Sequence, residues 1–176
     1  MVTNGSFETG DFTGWTVQDL SSPFWPLAVY PSGQQSWPFF STTPTDGQYV
    51  AATGFDGDGA SSGFPISIGQ DIAVQGTTVM LTFDYRAAWD LTFGATVPRT
   101  FGIQIEPAGG GSPIDSIVLL TAAPNTTVND TGDQLGQIDL SPYAGQTVFV
   151  RWTWVVPQDY TGPGMVQVDN VRALRQ

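Results

Sequence analysis

The chain is expected to fold as an all-β protein of two antiparallel sheets, on three observations. Apolar and polar residues alternate over short runs, as on strands with one face in a core. The 21 glycines and 13 prolines punctuate those runs with turn signals. No stretch keeps a helical period for longer than one turn. At 176 residues the length fits a single domain over 1–176, long enough to bury a sizeable core.

Taken in order, Thr3–Val17 reads as a short extended segment, a Gly/Asp-rich turn and an aromatic entering a core, with Phe7 and Trp15 as anchors. Leu20–Phe40 carries Phe24, Trp25, Tyr30, Trp37, Phe39 and Phe40 among Pro23, Pro26, Pro31 and Pro38. Proline at that density forbids a regular helix and disfavours a central strand, so a long aromatic loop is expected. It either serves a ligand or caps an open end of the sandwich. Thr45–Ala52 reads as a turn followed by a strand. Thr53–Gly59 is a turn in which Asp56 and Asp58 are two apart; it reads as a plain turn or as a second calcium loop, without the Glu of an EF-hand. Phe64–Val74 is one strand with a kink expected at Gly69.

Thr78–Asp90 is the clearest strand. Val79, Leu81, Phe83, Tyr85, Ala87 and Trp89 alternate with Met80, Thr82, Asp84, Arg86 and Ala88. Thr100–Glu106 has matching alternation and is expected to pair with it across a loop bearing Phe93 and Arg99. Ile114–Ala122 is a further strand, and Pro124–Gly136 a polar loop. In Val148–Val156 the apolar set is Val148, Val150, Trp152 and Trp154. Val166–Leu174 closes the chain, its alternation broken by Asp169. Eight to ten strands are expected.

Absent residue types narrow the chemistry. Without cysteine no disulfide or thiol mechanism is possible, and without histidine a Ser-His-Asp or Cys-His mechanism is excluded. Sixteen acids against five arginines and no lysine give a formal net charge of −11. Nucleic acid and anionic membranes draw their affinity from cationic contacts, so neither is an expected partner. The acidity serves solubility or divalent-cation sites. No apolar run approaches the ~20 residues needed to span a bilayer, so no membrane insertion is expected. Sequons at Asn4, Asn125 and Asn129 matter only in a glycosylating host.

Glu8 sits beside Phe7 where the chain leaves the core, and a carboxylate there needs a partner. The expectation is that the first and last strands are neighbours and that Glu8 and Asp169 share one cation. If one set of each alternating strand faces the core, the other exposes Thr82, Asp84, Arg86, Gln104, Glu106, Arg151 and Thr153 on a common face. That face offers donors and acceptors for sugar hydroxyls, or else a row of cross-strand ion pairs. Trp25, Trp37 and Trp89 are the candidate aromatic platforms for a sugar ring.

An opening Asn4-Gly5-Ser6-Phe7-Glu8 with Gly14-Trp15, and a closing Val168-Asp169-Asn170-Val171-Arg172, resemble the carbohydrate-binding jelly rolls of the galactose-binding-like superfamily. Asp139–Val148 resembles the entry to their penultimate strand. The resemblance implies a jelly-roll sandwich and a structural calcium held by Glu8, Asp169 and the Ser6 carbonyl, although Asn170 stands where relatives often have a second Asp. It also implies a non-catalytic polysaccharide-binding module, extracellular or at a cell surface, appended to a larger secreted enzyme or surface protein and monomeric in isolation. The ligand-binding candidates are Trp25, Trp37, Arg86, Trp89, Gln104 and Arg151. The alternatives are a structural or adhesive domain with no sugar ligand, and a glycoside-active enzyme using Asp84 and Glu106.

Overall fold

A computed structural model describes residues 1–20, 23–35, 39–56, 64–76 and 79–175. Trp37 and Asp58 fall outside them. The strands are β1 (Thr16–Gln18), β2 (Trp25–Pro31), β3 (Tyr49–Phe55), β4 (Phe64–Ala73), β5 (Val79–Asp90), β6 (Arg99–Pro107), β7 (Asp115–Ala122), β8 (Thr127–Val128), β9 (Gln134–Asp139), β10 (Thr147–Val156) and β11 (Gly164–Arg175). They form two antiparallel sheets. One has five strands in the order β1-β4-β10-β6-β7; the other has six, in the order β2-β3-β11-β5-β8, with β9 also on β5.

The core lies between the sheets and follows the alternation. Val79, Leu81, Phe83, Ala87 and Trp89 of β5 are buried, as are Val148, Val150, Trp152 and Trp154 of β10. Trp152 packs between Trp15 (ring centroids 5.4 Å apart) and Phe83 (5.3 Å). Trp154 lies against Phe55 and Phe101. A gap of about 20 Å³ beside these two indoles is lined almost wholly by apolar side chains. It is a packing void about the size of one water, not a ligand pocket.

Several sequence expectations need correction. β5 and β6 do not pair: β6 lies between β10 and β7, and β5 between β11 and the β8/β9 edge. Alternation tells which residues face inward but not which sheet owns the strand. Gly69 is not a kink, because β4 runs through it. It gives up its side chain so that the Phe149 ring can cross the sheet there. The proline-rich region contributes an edge strand, β2, where proline costs no ladder hydrogen bond on the open side. The stretch 124–136, expected to be loop, supplies β8 and the start of β9.

The first strand is not the neighbour of the last, since β1 pairs with β4. It is the segment before β1 that meets β11: the Val171 N–H donates to the Gly5 carbonyl at 2.9 Å. A Cβ on Gly5 would collide with the Val171 carbonyl oxygen, so only glycine allows that approach.

Candidate functional site

Two regions hold the residues singled out by the sequence. The first is where the chain ends meet. Asp169 is 1% exposed. Its Oδ2 accepts the N–H groups of Thr45 (2.7 Å) and Asp46 (3.1 Å) and the Thr45 hydroxyl (3.3 Å); Oδ1 accepts the Asn170 N–H (2.7 Å). Burial nevertheless pushes its carboxyl up to about 6, against hydrogen bonds that favour the charge. Glu8 Oε1 accepts from Gln48 (2.8 Å) and Tyr49 (2.9 Å). The early glutamate and the late aspartate therefore clamp the two ends of one turn, Thr45–Tyr49. Gly47 sits between them, and a Cβ there would strike the Glu8 carboxylate.

Ser6 donates its hydroxyl to Asp46 Oδ2 at 2.6 Å, and Arg172 reaches the same oxygen at 2.8 Å. Asn170, with φ of 53° at the bulge in β11, gives its amide N–H to Asp84, while its buried Oδ1 has no partner. Among the described residues no three carboxylates converge into a ready metal cage. A cation here would take two carboxylates and neutral oxygens. The buried charge on Asp169 and the orphan Asn170 oxygen are features that a hard, oxygen-seeking cation fits.

The second region is the outer surface of the sandwich, where the expected common face divides in two. Thr82, Asp84 and Arg86 belong to β5, and Gln104, Glu106, Arg151 and Thr153 to β6 and β10 of the other sheet. With the core between them, Asp84 and Glu106 cannot face each other across a cleft, which removes that carboxylate pair as an acid/base couple.

On the six-stranded sheet the segment 40–46 folds back over β11 and β5. Gln167 exchanges hydrogen bonds with the Thr43 backbone (3.3 and 3.0 Å). Arg86 forks onto Asp130 (2.7 and 2.5 Å), reaches the Thr43 hydroxyl and lies over the Phe40 ring. Its fork is spent on Asp130 and its remaining end group on the strap, so Arg86 is not an open ligand contact. Trp89 is corrected as well: it is 7% exposed in the core, with its N–H on the Thr126 hydroxyl, and offers no platform. Trp25, half-buried, stacks on Tyr30 at 3.9 Å. Asp56 faces Arg99 at 3.5 Å and accepts the Gly162 N–H at 2.7 Å. Arg99 itself is buried at the start of β6 and does not lie in the preceding loop.

On the five-stranded sheet Arg151 donates to Glu106 through Nε (2.6 Å) and Nη2 (3.1 Å), and to the Ser67 hydroxyl through Nη1 (3.1 Å). The guanidinium lies 4.9 Å from the Phe149 ring centre, and the Gly111 N–H closes on Glu106 Oε2 at 2.9 Å. Burial raises the Glu106 carboxyl, but Arg151 and Gly111 outweigh it and hold it below its ordinary value of 4.5. A depressed carboxyl contributes stability above its unfolded value and loses it as pH falls through the folded one. Glu106→Gln should therefore cost roughly 2 kcal/mol at neutral pH, and the gap to wild type should close as pH falls through the lowered folded value. Thermal melts from pH 7 to 3 check this.

Beside that closed pair the sheet opens into a groove of about 140 Å³ across β7, β6 and β10, lined among others by Thr100, Gly102, Gln104, Ser116, Val118, Thr153 and Val155. Its floor is made by Gly102, opposite Thr153, at the bulge where β7 shifts register against β6. A Cβ at Gly102 would collide with the Ile117 carbonyl. Thr153 is 5% exposed and its hydroxyl has no partner. Gln104 and Thr153 were legible as outward-facing residues. Ser116 and Val118 were not, because nothing in the sequence pairs β7 with β6 so that they lie opposite Gln104 and Gly102. At one end of the sandwich, loops 91–98 and 157–163 are laced by Gln158, which accepts the Thr96 and Val97 N–H groups. They carry Phe93 and Tyr160, 64% and 62% exposed.

No protein-family model matches the chain, and no curated protein matches it. Solved structures do. TmCBM61 in complex with β-1,4-galactotriose superposes with a TM-score of 0.54 at 14% identity, over 99% of this chain and 97% of that one. The CBM22-2 xylan-binding domain from Paenibacillus barcinonensis Xyn10C gives 0.51 at 14% identity, over 98% of each chain. A cyclase from Fischerella sp. TAU in complex with 4-(1H-indol-3-yl)butan-2-one gives 0.53 at 17% identity, over 99% and 95%. The chain has the jelly-roll β-sandwich fold found in carbohydrate-binding modules. Because an enzyme shares the fold, the fold alone does not assign a function.

Proposed function

We propose that the protein is a non-catalytic polysaccharide-binding module whose ligand surface is the groove on the five-stranded sheet. The observation that carries this reading is the Thr153 hydroxyl, buried in the groove and unpaired beside Gln104. A buried polar group without a partner costs stability, and a ligand hydroxyl would relieve that cost. Val118 and Val155 supply apolar contact for the C–H face of a sugar. At about 140 Å³ the groove is smaller than the roughly 300–1,000 Å³ of enclosed small-molecule pockets. It suits one unit of a longer chain lying across the sheet. The galactotriose and xylan named for the two neighbouring modules are ligands of the same general kind.

The second part of the proposal is a structural calcium at Glu8, Asp169 and the Ser6 carbonyl, with Asn170 Oδ1 as a further candidate donor. Such an ion would answer the buried Asp169 charge, which has no cationic side chain against it. We also place the module outside the cell or at its surface, appended to a larger secreted enzyme or surface protein.

Thr153→Val tests the groove. The change keeps the side-chain shape and removes a hydroxyl that bonds to nothing, so the melting temperature should hold or rise slightly. Retardation in affinity gels containing xylan or galactan should fall at least tenfold. Unchanged retardation would move the ligand elsewhere, the exposed Phe93 and Tyr160 being the next surface to test.

A further inference from the structure

We infer that the groove selects uncharged glycans and rejects chains bearing uronate or sulfate groups; this rests on the groove being the ligand surface. The lining of the groove contains no charged side chain. Binding an anionic sugar from water needs a cationic or multiple-donor partner to offset the desolvation of its charge. The chain has only five cationic side chains, all arginines, since lysine and histidine are absent.

Each of the five is committed or remote. Arg151 is the nearest, the cross-strand partner of Gln104, but its fork is closed on Glu106 and its remaining end group holds Ser67. Arg99 is closed to solvent at 1% exposure: its Nη2 reaches Asp56 and Thr161, and its Nε and Nη1 are buried without partners. Arg86 is locked to Asp130 on the opposite sheet. Arg172 and Arg175 lie on β11 of that same sheet, on Asp46 and Gln75. An incoming polyanion would meet an uncharged groove on a molecule with a formal net charge of −11. Its approach would be repelled at low ionic strength, where charges act over about 10 Å or more. What the groove does offer, hydroxyl and amide groups from Thr100, Gln104, Ser116 and Thr153, matches sugar hydroxyls.

The test is affinity electrophoresis of the wild-type chain and Thr153→Val against four polymers at low and moderate salt: linear xylan, β-1,4-galactan, polygalacturonate and a sulfated galactan. The expected result is retardation by at least one neutral polymer, lost in Thr153→Val and insensitive to salt, with both polyanions at least tenfold weaker. Binding of a polyanion within tenfold of the neutral polymers would overturn the inference while leaving a polysaccharide-binding module in place. Absence of binding to all four would overturn the module reading itself, and this inference with it.

Discussion

Trp152→Ala should be the most destabilising single substitution in the core, lowering stability by about 3–5 kcal/mol. Trp152 is 1% exposed and bridges the two sheets, with Trp15 on one side and Phe83 on the other. Truncation would enlarge the existing gap of about 20 Å³ into a cavity that neighbouring strands cannot close without breaking register. For a chain of this length the loss corresponds to a fall in melting temperature of roughly 10 °C. Trp152→Phe should cost much less, because the indole N–H it removes is buried without a partner. Calorimetry on the two variants checks the claim; equal costs would mean that the N–H has a role the packing does not show.

Asp169→Ala should cost about 3 kcal/mol, through a different mechanism. It strips the acceptor from the N–H groups of Thr45, Asp46 and Asn170 together, and an unpaired buried donor costs about 1–3 kcal/mol. Water can reach part of the turn, which keeps the total near the lower bound. Glu8→Ala, at an exposed carboxylate, should cost about 1 kcal/mol by the same reasoning. The pair also tests the calcium. A cation bound only by the folded chain stabilises it by mass action. EDTA should therefore lower the wild-type melting temperature by several degrees and leave Glu8→Ala and Asp169→Ala unchanged. If EDTA does nothing to the wild type, the two carboxylates serve only to hold the turn.

How much could be read from the sequence follows from what alternation encodes. The inward residues of β5 and β10 were legible because a period of two over ten residues has a single good reading. That Glu8 and Asp169 each need a partner was legible, because an isolated glutamate and a strand-breaking aspartate both call for one. What binds them is the backbone of the Thr45–Tyr49 turn; Asp46-Gly47 marks the turn in the sequence, but nothing there marks it as the carboxylates' partner. Sheet membership was not legible: Gln104 and Arg86 have equivalent alternation, and only the crossing of β6 to the far sheet separates them. β8 and β9 were missed because β8 is two residues long and β9 buries a single large apolar side chain, Ile138, too little alternation to read. Trp89 and Arg86 looked available by type, yet each is consumed by a neighbour, Thr126 and Asp130, far away in sequence.

Amide chemical shifts followed by NMR during titration with a soluble neutral oligosaccharide, xylo- or galacto-configured, test the ligand surface most directly. The expected perturbations cluster on 100–104, 116–118 and 151–155, with Thr153 among the largest, and leave residues 91–98 and 157–163 unmoved. Perturbations confined to those two loops, or none at saturating sugar, would contradict it.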